Sequence, residues 1–84
     1  MALSSFDRIL YRRLIELLVE ARRRANITQV ELGRRIGQRQ TVISKIETEE
    51  RRLDTAEFLL VSKAIGVDPY ELMHRAEIDC SSLP

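Results

Sequence analysis

Thr28-Gln29-Val30-Glu31-Leu32-Gly33-Arg34-Arg35-Ile36-Gly37-Gln38-Arg39-Gln40-Thr41-Val42-Ile43-Ser44-Lys45-Ile46-Glu47 is the stretch from which the rest of the 84-residue sequence can be read. Thr28 has Glu31 three residues on, the spacing of a capping box, and it opens a short helix over Gln29 to Ile36. Leu32 and Ile36 lie four apart and so share the face of that helix that must be buried. Gly37 stops it, because glycine turns left-handed at a helix end without a Cβ penalty. Gln38 and Arg39 then lead into a second short helix over about Gln40 to Thr48. Ile43 and Ile46 give that helix a narrow apolar edge, and Gln40, Thr41, Ser44, Lys45 and Thr48 make its remaining face short and polar, with few acids. Two short helices joined so tightly must cross steeply, and Gly33 is the small residue that lets them approach. The second helix then projects from the body and can present its polar face to a groove.

Working outward, the N-terminal side predicts a long helix from Ser5 to Ala25, capped by Ser4 or Ser5, with Asp7 at the positive end of its dipole. Leu10, Leu14, Leu18, Ala21 and Ala25 form one apolar stripe, and Tyr11, Ile15 and Val19 form another about 100 degrees round. Two stripes exceed what one small core needs, so the second is either additional core or a surface for another molecule. Asn26-Ile27 interrupts the helix. On the C-terminal side, Glu49 to Leu53 reads as a charged loop. Asp54 caps a fourth helix that ends at Ile65-Gly66 and turns Phe58, Val61, Ser62 and Ile65 inward. Asp68-Pro69 opens a fifth, proline being pre-shaped for the first helical position. The expectation is an all-α, five-helix domain over residues 1–78, followed by a flexible tail, 79–84, with no periodic apolar pattern.

Composition narrows the function. The chain is 44% apolar and 32% charged, and its length suits one domain with one modest core. Phe6, Tyr11, Phe58 and Tyr70 are too few aromatics for a platform that stacks single-stranded bases. One cysteine, Cys80, and one histidine, His74, build neither a disulfide nor a metal site, and both are expected at the surface without a chemical role. No Ser/His/Asp set, glycine-rich phosphate loop or paired carboxylates stand out, so neither an enzyme, a cofactor nor a small-molecule ligand is expected. No secretory leader or membrane span is read, and a cytoplasmic, nucleoid-associated setting is expected. The net charge of +1 hides an asymmetry: residues 1–52 hold twelve Lys/Arg against seven Asp/Glu, whereas residues 53–84 hold two against six. A basic half suits a polyanion, and an acidic half can face away from it.

Several features fall in order along the chain. Arg22 is followed by the Thr28-Gln29 helix start and then by Leu32-Gly33-x-x-Ile36-Gly37. Gln40-x-x-Ile43-Ser44-x-Ile46-Glu47 comes next, then the basic pair Arg51-Arg52, then Ala64-Ile65-Gly66-Val67-Asp68-Pro69-x-x-Leu72. No piece is specific alone. At these spacings, from about Leu14 to Leu72, they resemble the Cro/repressor family of helix-turn-helix DNA-binding proteins, the lambda-repressor-like or XRE group. The resemblance implies a lambda-repressor-like fold, here with an extended first helix, and a transcriptional regulator. It assigns base reading to Gln40, Thr41, Ser44, Lys45 and Thr48, and the chemistry agrees. Gln can pair two-pronged with adenine and Lys with guanine, and Thr can meet a thymine methyl. It assigns phosphate contacts to Gln29, Arg39, Arg51 and Arg52, which fix register without reading sequence. Arg22 and Glu47 match the family's buried structural ion pair.

The chain also departs from the family pattern. Arg39 stands where Ser or Thr is usual, Thr48-Glu49 where Asn-Gly is usual, and Leu53 where Pro is usual. Glu49 and Glu50 place negative charge beside the expected phosphate path.

One recognition helix spans too few base pairs to find a site in a genome, so a palindromic operator and a homodimer are expected. Tyr70, Leu72, Met73 and Ile78 on the fifth helix form the favoured dimer patch, with Tyr11, Ile15 and Val19 as the other candidate. Repression or autoregulation is the expected role. The alternative is a protein-interaction module of the same fold, antitoxin-like or an anti-regulator partner, working through the long first helix.

Overall fold

A computed structural model describes residues 5–81 as five helices: α1 (Ser5–Arg24), α2 (Gln29–Ile36), α3 (Gln40–Glu47), α4 (Thr55–Ile65) and α5 (Pro69–Ser81). No strand occurs among the described residues, so the fold is all-α as the sequence implied. The capping hydroxyl expected from Ser4 or Ser5 and the last residues of the expected tail, 82–84, fall outside the described residues and side chains.

The punctuation between helices follows local chemistry. The Thr28 hydroxyl accepts the Glu31 N–H at 3.0 Å and caps α2. Only that half of the expected capping box forms, because the Glu31 carboxylate turns to Arg34 and Arg35 instead, at 2.7 and 2.9 Å. Those two guanidiniums hold its pKa down at about 2. The complete, reciprocal box is at α4. The Asp54 carboxylate accepts the Glu57 N–H at 2.8 Å, while the Glu57 carboxylate accepts the Asp54 N–H at 3.0 Å. Gly37 ends α2 at φ +72, where the Gln38 N–H donates back to the Gly33 carbonyl at 2.8 Å. Gly33 is required for a different reason. A Cβ there would lie 2.5 Å from the Gln38 carbonyl oxygen, so any larger residue would force α2 away from the turn that launches α3.

The core gathers Ile15, Leu18, Ala21 and Ile27 from the first segment, Leu32 from α2, Ile43 and Ile46 from α3, and Phe58, Val61 and Ile65 from α4. Ile15 is only 3% exposed, with Tyr11 and Val19 packed against the same cluster. The second stripe of α1 is therefore largely core: Ile15 is buried and unavailable to a partner, while Tyr11 and Val19 are half-covered. Ala25, placed in the first stripe, is exposed beyond the end of α1.

The chain's C-terminal end also differs from expectation. The tail was expected to begin at Asp79, but α5 continues to Ser81 and Cys80 is 3% exposed rather than at the surface. The reason is packing against α1, the most extensive helix pairing in the molecule. Leu17 on α1 is buried, as are the small residues Ala76 and Cys80 on α5. Asp79, which looked like the start of a polar tail, accepts from Arg13 Nε at 2.7 Å. That contact is the main reason its carboxyl is held below the usual range.

Ile43 and Ser62 are both fully enclosed, and the Ser62 hydroxyl has no hydrogen-bond partner among the described residues. The two positions should respond oppositely to truncation. Ile43→Ala removes packing where α3 meets the body and should cost about 2–5 kcal/mol. Ser62→Ala deletes an unsatisfied buried hydroxyl and should be neutral or stabilising by about 1 kcal/mol. Thermal or urea unfolding checks both, and a clear loss for Ser62→Ala would show that its hydroxyl is bonded after all.

Candidate nucleic-acid interface

The site begins with a charge that cannot stand alone. Arg22 lies near the end of α1 only 7% exposed, and a guanidinium so placed must be paired. Its Nε donates to Glu47 Oε2 at 2.6 Å and one terminal nitrogen to Glu47 Oε1 at 2.9 Å. The other terminal nitrogen donates to the Ile27 carbonyl at 2.8 Å. One planar group thus ties α1, the α1–α2 connection and the end of α3. Its fork geometry sets the relative angle of the pieces it joins.

The pair continues outward through two glutamines. Gln29 Nε2 donates to Glu47 Oε1 at 2.9 Å, and Gln40 Nε2 donates to Gln29 Oε1 at 2.9 Å. Gln29 opens α2 and Gln40 opens α3, so the relay crosses the helix-turn-helix at its exposed end. A glutamine amide has two N–H donors and one acceptor oxygen. Gln40 spends one donor on Gln29 and keeps a donor and an acceptor side by side, which is the complement of the adenine major-groove edge.

The remaining sequence-read positions divide. Thr41 and Lys45 are exposed on α3, and Lys45 makes no ion pair among the described residues; Ser44 is half-buried. The Thr48 hydroxyl is occupied internally, 3.0 Å from the Ser44 carbonyl and 2.8 Å from the Glu50 carboxylate. Arg39 is exposed at the α3 N-cap and makes no side-chain capping bond there, consistent with its replacing the usual Ser or Thr. Arg51 pairs with Glu57 at 2.6 Å, which raises the Arg51 pKa and lowers that of Glu57, so it fastens the loop to α4. Arg52 lies over the Tyr11 ring, 4.1 Å from its centroid, in cation–π geometry.

The departures in the α3–α4 loop have structural explanations. Glu49 adopts φ +66, the left-handed conformation that glycine takes most easily, and its carboxylate meets Arg12 Nε at 3.2 Å. The Leu53 N–H donates to the Tyr11 hydroxyl at 2.9 Å, a bond that proline could not make. Sequence reading missed Arg12 and the phenol of Tyr11 as loop-positioning groups. The unusual Leu53 was the available signal, since a freed N–H needs an acceptor.

A helix-turn-helix family model matches residues 18–72, which holds the whole relay and the loop after α3. The chain belongs to the XRE helix-turn-helix family. Among solved structures, it is similar to an XRE-family like protein from Pseudomonas syringae pv. tomato str. DC3000. That likeness has 44% identity and a TM-score of 0.85, and covers 89% of this chain and 92% of the other. No curated protein matches. As an XRE-family chain it belongs with DNA-binding regulators that engage double-stranded DNA. Among the described residues, no cluster of His, Cys, Asp or Glu could hold a metal, and no helix is long and apolar enough to cross a membrane.

Proposed function

We propose that the protein is a sequence-specific transcriptional regulator that acts by binding, with α3 in the major groove of operator DNA. It works in the cytoplasm on the chromosome and represses or autoregulates. The observation that carries this reading is the braced Gln40, whose unspent donor and acceptor face outward at the start of α3. Thr41 and Lys45 lie exposed along the same helix and supply further base contacts, while Ser44, which is half-buried, and Thr48, whose hydroxyl is bonded internally, have lesser shares. Gln29, Arg39 and Arg52 meet phosphates beside them. Arg51 would reach one only by loosening its hold on Glu57.

A homodimer on a palindrome would supply the missing base pairs. Leu72 and Met73 pack partly against the core, leaving Tyr70 at 69% and Ile78 at 52% exposure as the outward part of the α5 patch. Ile9 flanks the same groove as Ile78, which widens the apolar surface available to a two-fold interface.

Selection from a random duplex pool should yield a preferred site, and Gln40→Ala should weaken binding to it by about 1–3 kcal/mol while relaxing preference at one adenine-bearing base pair. Equal weakening on all duplexes would contradict base reading by Gln40. In sedimentation at micromolar concentration the protein should behave as a dimer, and Ile78→Asp should convert it to a folded monomer. A wild-type monomer that binds one per operator would contradict the dimer.

A further inference from the structure

The family-matched region begins at Leu18, yet α1 begins at Ser5. The early turns of α1 run alongside the loop that follows α3. Arg8, Ile9, Tyr11, Arg12, Glu49 and Arg52 line one open cleft there. Three guanidiniums face it against one carboxylate. Arg52 is fixed over the Tyr11 ring, and Tyr11 is itself anchored by the Leu53 N–H. Arg8 is exposed and makes no ion pair among the described residues. Arg12 meets Glu49 at 3.2 Å, but its side chain remains 69% exposed. A solvated pair of that kind holds the guanidinium loosely, so Arg12 can turn its free nitrogens to a phosphate while staying beside Glu49.

The position of the cleft matters as much as its charge. Glu49 directly follows Thr48, the C-cap of α3, so the cleft opens at the end of the helix that enters the groove. A duplex holding α3 in its major groove must carry a sugar-phosphate strand past that end. Further along α1 the charge becomes mixed, with Glu16, Glu20, Glu47 and Glu49 alongside Arg12 and Arg23, and Glu16 and Glu20 already paired with Arg13. The unpaired excess of positive charge is therefore at the early turns of α1, where the strand can cross.

We propose that Arg8 and Arg12 of the N-terminal extension join Arg52 in a phosphate-binding cleft for the duplex backbone that flanks the bases under α3. The proposal rests on the DNA-binding reading above. Arginine suits the task because its planar fork takes a phosphate two-pronged. The same arrangement accounts for Glu49 beside the DNA path. Arg12 meets Glu49 through Nε alone, so its terminal nitrogens remain for a phosphate and one guanidinium lies between the two anions on binding.

The test measures the affinity of the full chain for its selected operator duplex across a salt range of about 50–200 mM. Removing one phosphate-binding arginine should reduce the slope of log K against log salt by about 0.9 per protomer, so Arg8→Ala with Arg12→Ala should flatten it by nearly 2 for each bound protomer, or about 3.6 for a dimer on its operator. The weakening should be similar on operator and scrambled duplex, with melting shifted only slightly, as the loss of one exposed ion pair implies. Phosphate-ethylation interference should vanish at the flanking positions in the double variant. Arg75→Ala, which removes an exposed charge on α5, should leave slope and interference unchanged. If the double variant keeps the wild-type slope and interference pattern, or if Arg75→Ala flattens the slope as much, the cleft is refuted and the DNA-binding reading stands. If the wild-type chain binds no duplex at all, that reading fails and the cleft fails with it.

Discussion

Apolar burial explains why α3 packs against the body, but it does not fix how α3 is rotated. Ile43 and Ile46 give it a narrow seat, and hydrophobic contact is non-directional. Direction comes from the Arg22–Glu47 pair. Its bidentate bond, together with the bond to the Ile27 carbonyl, allows one angular arrangement of α1, α2 and α3. Such a pair adds little net stability over apolar residues of the same shape, but losing one partner strands a buried charge at a cost of about 3–5 kcal/mol. The polar face of α3, and so the side chains offered to a partner, depends on this joint. Gln29 and Gln40 carry its geometry to the surface.

The far end of α3 is held by a different kind of chemistry. Where the family pattern uses glycine and proline to shape the loop, this chain uses a left-handed Glu49 and a Leu53 whose N–H is taken by Tyr11. Both substitutions depend on α1 being long enough to bring Tyr11 and Arg12 to the loop. The longer α1 in turn needs a surface to lie on, and α5 provides it through Ala76, Cys80 and the Arg13–Asp79 bridge. The N-terminal and C-terminal departures are thus one structural change, which runs from α5 through α1 to the edge of the recognition helix.

This dependence explains what was legible in the sequence. Thr28, Gly37, Asp54, Gly66 and Pro69 act within their own few residues, so the helices were readable from them, and so was the close approach at Gly33. The Arg22–Glu47 pair and the Gln40 face were readable only because the spacing resembles a known family. Long-range geometry was not legible. Tyr11, Ile15 and Val19 could be core or surface until the partner of α1 was fixed, and Asp79-Cys80 looked like tail until α1 lay alongside with Arg13 bonded to Asp79. The competition for Glu31 also escaped. A capping box and an Arg34/Arg35 clamp are both possible from the sequence, and the charge-assisted clamp prevails.

The central claim is that the buried pair orients the reading glutamine, and a double-mutant cycle on operator affinity measures it. Glu47→Gln leaves one acceptor oxygen where the pair and the relay use two, so the bidentate hold on Arg22 is lost whichever way the amide turns. Combined with Gln40→Ala, at a temperature where all four proteins are folded, it should show a coupling of about 0.5–3 kcal/mol, Gln40 mattering less once its brace is gone. Costs that simply add, to within about 0.5 kcal/mol, would mean that Gln40 reads DNA without the pair and would contradict the account.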